Sequence, residues 1–315
     1  MLSTPLIFKI IFMAKIIPVD TGKQACKIIL IILITVQQMD KKCDFPIEGI
    51  HRHVVKYIQS LPNLSGKIVL DIPCGNGRAS CEFKRKGAKV IVLDLFPEFM
   101  EVLGIEAKYA DLSKKLPIEN ESIDYIICQE GIEHIPNQLN VLQEFNRVLK
   151  KNGCALITTP SNSHTRARLS YFLFETDFYK RMPPTEIDGV WFANNKQADL
   201  YFGHLFLLSV QHLQTLLTIS GFKTEQRIKT SIGSTSLILT LVLYPIFVLS
   251  SLLTYFSYRN KNQHIDKDTR FKILWDRVKL NLSPITLIYK DIFWVVKKTD
   301  NLDVVINQLK SVQKN

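Results

Sequence analysis

Short apolar runs, several of them ending at an acidic residue, recur along the first half of the chain. Runs of about four to eight apolar residues that are bounded by polar residues, glycine or proline are typical of strands buried on both faces. Three of the runs reach Asp71, Asp94 or Asp111 at their carboxyl ends. The pattern predicts five strands, at residues 68–72, 90–93, 107–110, 123–128 and 155–159.

Amphipathic or glycine-terminated segments separate these strands. The clearest one places Leu139, Leu142 and Phe145 along one face, and Gly153 follows its basic last turn. Strands that alternate with helices favour a parallel sheet wound on both sides. We therefore predict an α/β fold of three layers, with a Rossmann-like doubly wound sheet between helices. The predicted helices lie at residues 45–60, 76–86, 97–103 and 137–150.

The turn after the first strand has the composition of a nucleotide-binding corner. Gly75 and Gly77 can adopt backbone angles that a side chain forbids, and they let the backbone approach a ligand closely. Asp94 follows about 20 residues later at a strand end, where a carboxylate can accept the ribose hydroxyls of an adenosine ligand. A dinucleotide dehydrogenase prefers a third glycine where Ser80 stands, so an NAD-dependent oxidoreductase is the less favoured alternative.

Several segments together resemble the class I S-adenosylmethionine-dependent methyltransferases, in particular the small-molecule and lipid-quinone type. The first strand and its turn resemble the motif V-L-D-x-G-C-G-x-G, with Pro73 where the family often has glycine. Proline removes a backbone donor at that position. The resemblance covers about residues 66 to 230. The segments that carry it are Val69 to Gly77, Asp94, Ala110 to Leu112, Ile123 to Pro136, Phe145 to Gly153 and His204 to Phe222.

The resemblance implies a seven-stranded sheet whose last strand is antiparallel, a bound S-adenosylmethionine, and methyl transfer to a small acceptor by in-line displacement. A general base is needed only for an acceptor such as a hydroxyl, and we expect His134, and after it Glu133, in that role. The alternative for Asp71, Asp94 and Asp111 is that they merely cap neighbouring backbone. The implied cofactor-binding residues are Asp71, Pro73, Cys74, Gly75, Gly77, Asp94, Leu95, Asp111, Leu112, Gln129 and Glu130.

Composition narrows the expected partners. The chain has 315 residues, is 46% hydrophobic and carries a net charge of +11. Because the basic residues flank apolar runs and form no dense basic tract, we expect an anionic membrane face and no nucleic acid. The six cysteines form no C-x-x-C motif and no cluster with histidine, so we expect no metal site. The oligomeric state is left open.

Residues 231–258 form a second informative stretch, with no charged side chain and a length sufficient to cross a bilayer. In the family that the chain resembles, strands six and seven form a hairpin at one sheet edge, which corresponds to residues 222–228 and 292–296. The apolar stretch is then an insertion in that hairpin. A single crossing would separate the two strands, so we expect the stretch to enter and return or to lie in the interface. The alternative is a buried helix or a dimer contact.

These observations divide the chain into four parts. Residues 1–44 are an extension whose apolar runs are too short to span a bilayer; translation begins at Met39, or the segment is an interfacial anchor. Residues 45–230 are the methyltransferase core with an aromatic lid at 162–203, residues 231–290 the membrane-associated insertion, and residues 291–315 the last strand and tail. We expect a cytoplasmic enzyme at the inner face of a membrane that methylates a lipophilic or membrane-linked acceptor. A non-catalytic membrane-tethered module of the same fold is the alternative.

Overall fold

A computed structural model describes residues 48–176, 185–187, 189–191, 201–261 and 265–313 of the chain. The predicted extension at residues 1–44 lies outside these residues. So do Phe178 and Tyr179, two of the aromatic residues expected in the lid. The other predicted elements can be compared with the structure directly.

A seven-stranded sheet forms the centre of the molecule, in the order β3-β2-β1-β4-β5-β9-β8. Strands β1 to β5 are parallel to one another, and β9 is antiparallel to both β5 and β8. The predicted Rossmann-like sheet with an antiparallel last strand is therefore confirmed. A separate two-stranded ribbon pairs β6 with β7. The strands are β1 Ile68–Asp71, β2 Lys89–Asp94, β3 Lys108–Tyr109, β4 Ile123–Gln129, β5 Leu149–Pro160, β6 Val190–Trp191, β7 Tyr201–Phe202, β8 Phe222–Arg227 and β9 Asp291–Lys298.

Helices cover both faces of the sheet, and side-chain caps fix several of their first turns. Asn137 accepts a hydrogen bond from the Asn140 amide at the start of α3, and Ser209 accepts one from the His212 amide at the start of α5. The helices in the described residues are α1 Gly49–Ser60, α2 Arg78–Arg85, α3 Gln138–Val148, α4 Thr165–Phe174, α5 Val210–Ile219, α6 Ser234–Tyr258, α7 Lys267–Leu282, α8 Pro284–Ile288 and α9 Leu302–Gln313.

The helix predicted at residues 97–103 is wrong. Only a single 3₁₀ turn, Pro97–Phe99, forms there. Phe99 and Leu103, which would have supplied the apolar face of a helix, are about half exposed. A short helix without a buried face lacks the tertiary packing that stabilises most helices in proteins.

Neighbouring residues of the central strands point into two separate hydrophobic cores. Leu70 and Ile126 join the cluster beneath α3 and α5, whereas Val69 and Ile127 join the cluster beneath α1 and α2. This alternation follows from the two-residue period of a strand. It produces the three layers that the sequence predicted.

The apolar insertion begins and ends at the carboxyl edge of the parallel strands. Pro160, the last residue of β5, pairs with Asp291, the first residue of β9, while Arg227 at the end of β8 pairs with Trp294. Helices α6, α7 and α8 connect these two strand ends. By length and composition α6 is the one helix in the described part of the chain that could cross a membrane, and only 6% of its most apolar window is buried.

Lys298, the last residue of β9, lies at the end of the sheet opposite the apolar insertion, and it is 2% exposed. Its Nζ donates hydrogen bonds of 2.8 Å to the carbonyl oxygens of Asn146 and Leu149, and it lies 3.2 Å from a carboxylate oxygen of Glu121. A single ammonium group thus donates hydrogen bonds to two backbone carbonyl groups at the junction of α3 and β5.

We expect Lys298→Met to lower the free energy of unfolding by about 1–3 kcal/mol, because two buried carbonyl groups lose their donor. Urea unfolding followed by the fluorescence of the buried Trp294 measures this change. Lys297→Met is the matched control and should stay within about 0.5 kcal/mol of the parent chain. Equal effects of the two substitutions would contradict the assigned role of Lys298.

Candidate active site

Two adjoining cavities open at the carboxyl edge of the sheet, where open α/β sheets bind their ligands. The larger has a volume of about 540 Å³ and the smaller about 110 Å³. They share Pro73, Asp94, Phe96 and Tyr201 as lining residues. Of the predicted cofactor-binding residues, the larger cavity brings together Asp71, Pro73, Cys74, Gly75, Asp94, Gln129 and Glu130, and the smaller adds Leu95, Asp111 and Leu112.

The carboxylate of Asp94 holds the glycine turn in place. Its Oδ2 accepts a hydrogen bond of 2.8 Å from the Gly75 amide, and its Oδ1 accepts one of 2.9 Å from the Phe96 amide. The expected alternative, a carboxylate that caps backbone, is thus part of its role. Asp94 also lines both cavities, and each oxygen keeps lone-pair capacity for a ligand hydroxyl.

The two glycines of the turn have different reasons for being glycine. Gly75 has φ +51° and open space where a Cβ would stand, beside the larger cavity. Gly77 has φ +85°, and a Cβ there would lie 2.4 Å from Met100 Sδ. Gly77 is absent from the lining of both cavities, so its left-handed backbone at the start of α2 explains this glycine better than close approach to a ligand.

Pro73 is accommodated by a glycine that the sequence did not single out. A Cβ on Gly131 would lie 2.4 Å from Pro73 Cδ and 2.5 Å from its Cγ. The proline ring therefore occupies the space that a side chain at position 131 would need. Pro73 follows β1 and Gly131 follows β4, so the proline that departs from the family motif faces a glycine that leaves room for its ring.

Asp71 is buried beneath the larger cavity, with 1% of its surface exposed. Its Oδ2 accepts a hydrogen bond of 2.5 Å from the Ser80 hydroxyl of α2. Burial raises the pKa of Asp71 to about 7, although the hydrogen bond from Ser80 opposes that rise. A cationic ligand group above this carboxyl would favour its ionised form.

Asp111 forms a local turn in the way the alternative interpretation predicted. Its Oδ1 accepts hydrogen bonds from the Ser113 amide and hydroxyl, and its Oδ2 lies 3.1 Å from Lys114 Nζ. Burial raises the pKa of Asp111, but these hydrogen bonds outweigh burial and the net shift is downward. Asp111 nevertheless lines the smaller cavity together with Leu112 and Leu95.

The end of β4 forms the floor of the larger cavity. Glu130 has a left-handed backbone with φ +49°, uncommon for a side-chain-bearing residue, and its carboxylate accepts a 3.0 Å hydrogen bond from Thr158. Burial, with the nearby charge of Asp291, raises the pKa of Glu130 to about 7. Beside it, Gln129 hydrogen-bonds His51 of α1. Sequence reasoning missed His51, because nothing near it in the chain marks a site.

His134 and Glu133 lie in the 3₁₀ turn that follows β4. His134 Nδ1 lies 2.6 Å from the Phe202 carbonyl oxygen, and its ring stacks on Tyr201 at a centroid distance of 5.1 Å. A carbonyl only accepts hydrogen bonds, so Nδ1 carries the proton and Nε2 the lone pair. Burial lowers the pKa of His134, which is therefore neutral near pH 7.

Glu133 lies behind this histidine and lines neither cavity. It is fully buried, and burial raises its pKa to about 8. Its Oε1 is 4.0 Å from His134 Nε2, and ligand atoms of Glu133, His134 and His204 all lie within 4.8 Å of one another. Such a group could also hold a cation, and the expectation of a metal-free site stays a prediction.

The arrangement has the features of a nucleotide site beside a proton acceptor. A cavity of about 540 Å³ is in the range of small-molecule sites. Its carboxylates suit ribose hydroxyls and a cation, and a neutral imidazole stands at the neighbouring cavity.

A family model described as a methyltransferase domain matches residues 47–227. The chain belongs to the methyltransferase family. The predictions of an S-adenosylmethionine-dependent methyltransferase and of this cofactor are confirmed, and the oxidoreductase alternative is set aside.

Curated relatives of this methyltransferase share about a third of its residues over part of its length. A ubiquinone biosynthesis O-methyltransferase from Histophilus somni is 32% identical over 135 residues, which are 38% of this chain and 57% of that enzyme. The enzyme of the same name from Pseudomonas syringae is 29% identical over 176 residues, 48% of this chain and 74% of that enzyme. The match to the first enzyme thus spans less than two thirds of its length.

A solved SAM-dependent methyltransferase from Archaeoglobus fulgidus is 14% identical, with a TM-score of 0.45 over 78% of this chain and 92% of that one. A similarity at this level adds no support of its own. The fold assignment rests on the strand order and on the family match.

The contact between Pro73 and Gly131 can be tested by a double-mutant cycle. We expect Gly131→Ala to lower the free energy of unfolding by about 1–3 kcal/mol, because its methyl group would overlap the proline ring. In a Pro73→Gly background the same substitution should cost much less, and urea unfolding of the four proteins gives the coupling energy. A cost of Gly131→Ala that is independent of residue 73 would contradict the contact.

Proposed function

We propose that this enzyme transfers the methyl group of S-adenosylmethionine to a hydroxyl of a lipophilic, quinone-type acceptor at the cytoplasmic face of a membrane. The observation that carries the proposal is a neutral, buried imidazole in the smaller cavity, which adjoins the larger one; a backbone carbonyl holds this imidazole with its lone pair on Nε2. The names of the two relatives, both ubiquinone biosynthesis O-methyltransferases, support the acceptor class.

The residues of the larger cavity fit the cofactor by their chemistry. Asp94 would accept the ribose hydroxyls, since each of its oxygens already accepts one amide and keeps further lone pairs. Asp71 would stabilise the cationic end of the methionyl part, and Gln129 and Glu130 would lie beside it. On the β3 side of the smaller cavity, Asp111 and Leu112 would contact the adenine, and the β4 side, which carries His134, is left for the acceptor. When bound, S-adenosylmethionine supplies a methyl group attached to a positively charged sulfur.

His134 is the better of the two expected bases. Glu133 holds a proton at pH 7 because burial raises its pKa to about 8, and it lines neither cavity. His134 is neutral and lines the smaller cavity. It would take the proton of the acceptor hydroxyl while the oxygen attacks the methyl carbon and the bond from that carbon to sulfur breaks, which leaves the sulfur uncharged.

A hydrophobic acceptor agrees with the surroundings of His134. Most of the smaller cavity's surface is contributed by apolar side chains such as Ile72, Ile135 and Phe202. Residues 201–206 cover it: Tyr201 stacks on His134 and packs edge-on against Phe96 at 5.3 Å, and the Phe206 amide donates to the Glu133 carbonyl. Residues 201–203, the last part of the predicted lid, would exclude water during transfer.

Calorimetric titration with S-adenosylmethionine tests the cofactor site. We expect Asp94→Ala to weaken binding by about 10- to 100-fold, because the variant loses charged hydrogen bonds both to the ligand and to the Gly75 turn. Asp303→Ala, an exposed carboxylate on α9, is the matched control and should bind like the parent. Failure of the parent chain to bind the cofactor would overturn the proposed site.

The base is tested by His134→Gln, assayed on a water-soluble quinol that carries a free ring hydroxyl. We expect kcat to fall by about 10²- to 10⁴-fold, with cofactor affinity unchanged. His212→Gln, exposed on α5, should leave kcat unaltered. Because burial lowers the pKa of His134, the acid limb of the parent's rate profile should lie below the usual histidine range. An unchanged kcat in His134→Gln would show that positioning alone drives the transfer.

A further inference from the structure

Helix α6 has its polarity inverted relative to a helix of a soluble protein. Its small polar residues face the protein: Ser236 and Ser251 are 1% and 7% exposed, and they hydrogen-bond His164 and Asn281. Thr240 also faces inward and hydrogen-bonds Thr165 at 2.7 Å. The large apolar side chains face outward, and six of them are between 60% and 73% exposed: Ile238, Leu241, Val242, Ile246, Leu249 and Leu253.

The width of this apolar face distinguishes a lipid from a protein partner. With about 100° between consecutive residues, the exposed large apolar positions from Leu237 to Phe256 cover an arc of about 200°. The apolar face that a helix uses to pack against one partner helix is narrower, with about two apolar positions in every seven residues. A helix that shows apolar side chains over more than half its circumference and small polar ones to its own protein is typical of a lipid-facing helix.

The sheet prevents this helix from crossing a bilayer. Strand β8, which precedes it, and strand β9, which follows the insertion, are adjacent, and the Ile228 amide donates to the Phe293 carbonyl. Both ends of the insertion are therefore on one side of any membrane. A crossing by α6 would require α7 to cross back, but α7 carries seven charged side chains in 16 residues.

Cationic residues lie where a helix in the interface would meet lipid headgroups. Arg259 and Lys261 follow α6, with their charged groups 5.0 Å and 4.4 Å from the ring centroids of Phe256 and Tyr258. Arginine and lysine side chains can bury their methylene groups in the lipid leaflet while their charged ends lie among anionic headgroups.

We propose that α6 lies along one leaflet of an anionic bilayer as a monotopic seat, with its outward face among the acyl chains and without crossing. This proposal rests on the proposed function and deepens it, because a helix bound to the leaflet would bring the enzyme close to a lipophilic acceptor in the same membrane. The insertion returns to the sheet at its carboxyl edge, where Asp291 of β9 pairs with Pro160 of β5. The seat and the cavities therefore belong to the same end of the sheet.

Flotation with sealed vesicles of phosphatidylglycerol and phosphatidylcholine tests the seat on the full chain. Leu241→Ser/Ile246→Ser/Leu253→Ser should weaken vesicle binding by at least about 100-fold. Val304→Ser/Ile306→Ser/Leu309→Ser removes three exposed apolar side chains from α9 instead and should float like the parent. Titration with S-adenosylmethionine confirms that each variant is folded, and it separates loss of the seat from failure of the proposed cofactor site. Equal flotation of the two triple variants would overturn the proposal.

A second measurement distinguishes a seat from a crossing. Lys229→Cys and Asn260→Cys place thiols at exposed positions before the start and after the end of α6. A membrane-impermeant maleimide added outside sealed vesicles should label both variants above the labelling of the parent chain. Labelling of only one end would show that the helix crosses. Light scattering tests whether the outward face of α6 binds a second copy of the chain instead. The lipid assignment would be overturned if the parent chain did not float but formed a dimer, and if the α6 triple variant were monomeric.

Discussion

The position of β9 between β5 and β8 is the constraint on which the rest of the molecule depends. Because β9 runs antiparallel to both neighbours, its first residue stands beside the last residue of β5, at the edge where the parallel strands end. A long insertion before β9 must therefore return to the ligand-binding edge. This pairing alone brings an exposed apolar helix and a cofactor cavity, distant in the chain, to one end of the sheet.

Most strands could be predicted because buried parallel strands produce continuous apolar runs, and these runs recur in the structure within a few residues. The exception is β3, whose Lys108 and Tyr109 are exposed. The antiparallel last strand and the expected cofactor residues came from the resemblance, and most of those residues line the two cavities. The error at residues 97–103 arose because apolar residues alone suggest a helix, whereas Phe99 and Leu103 stay about half exposed.

Features that depend on distant parts of the chain could not be predicted. Gly131 is required by the ring of Pro73, 58 residues earlier in the sequence. His51 reaches Gln129 from a helix 78 residues earlier. The preference for His134 over Glu133 in the proposed mechanism also needed the structure, because it depends on burial, which disfavours the charged form of each group.

One hydrogen bond joins the cover of the site to its chemistry. The carbonyl that fixes the proton on His134 Nδ1 belongs to Phe202, in the segment that covers the smaller cavity, and not to the core of the sheet. The tautomer of the ring is therefore set by a segment that lies outside the sheet and lines the same cavity as the ring. In the proposed mechanism, the residues that line the acceptor side of the cavity would also select the nitrogen that takes the proton.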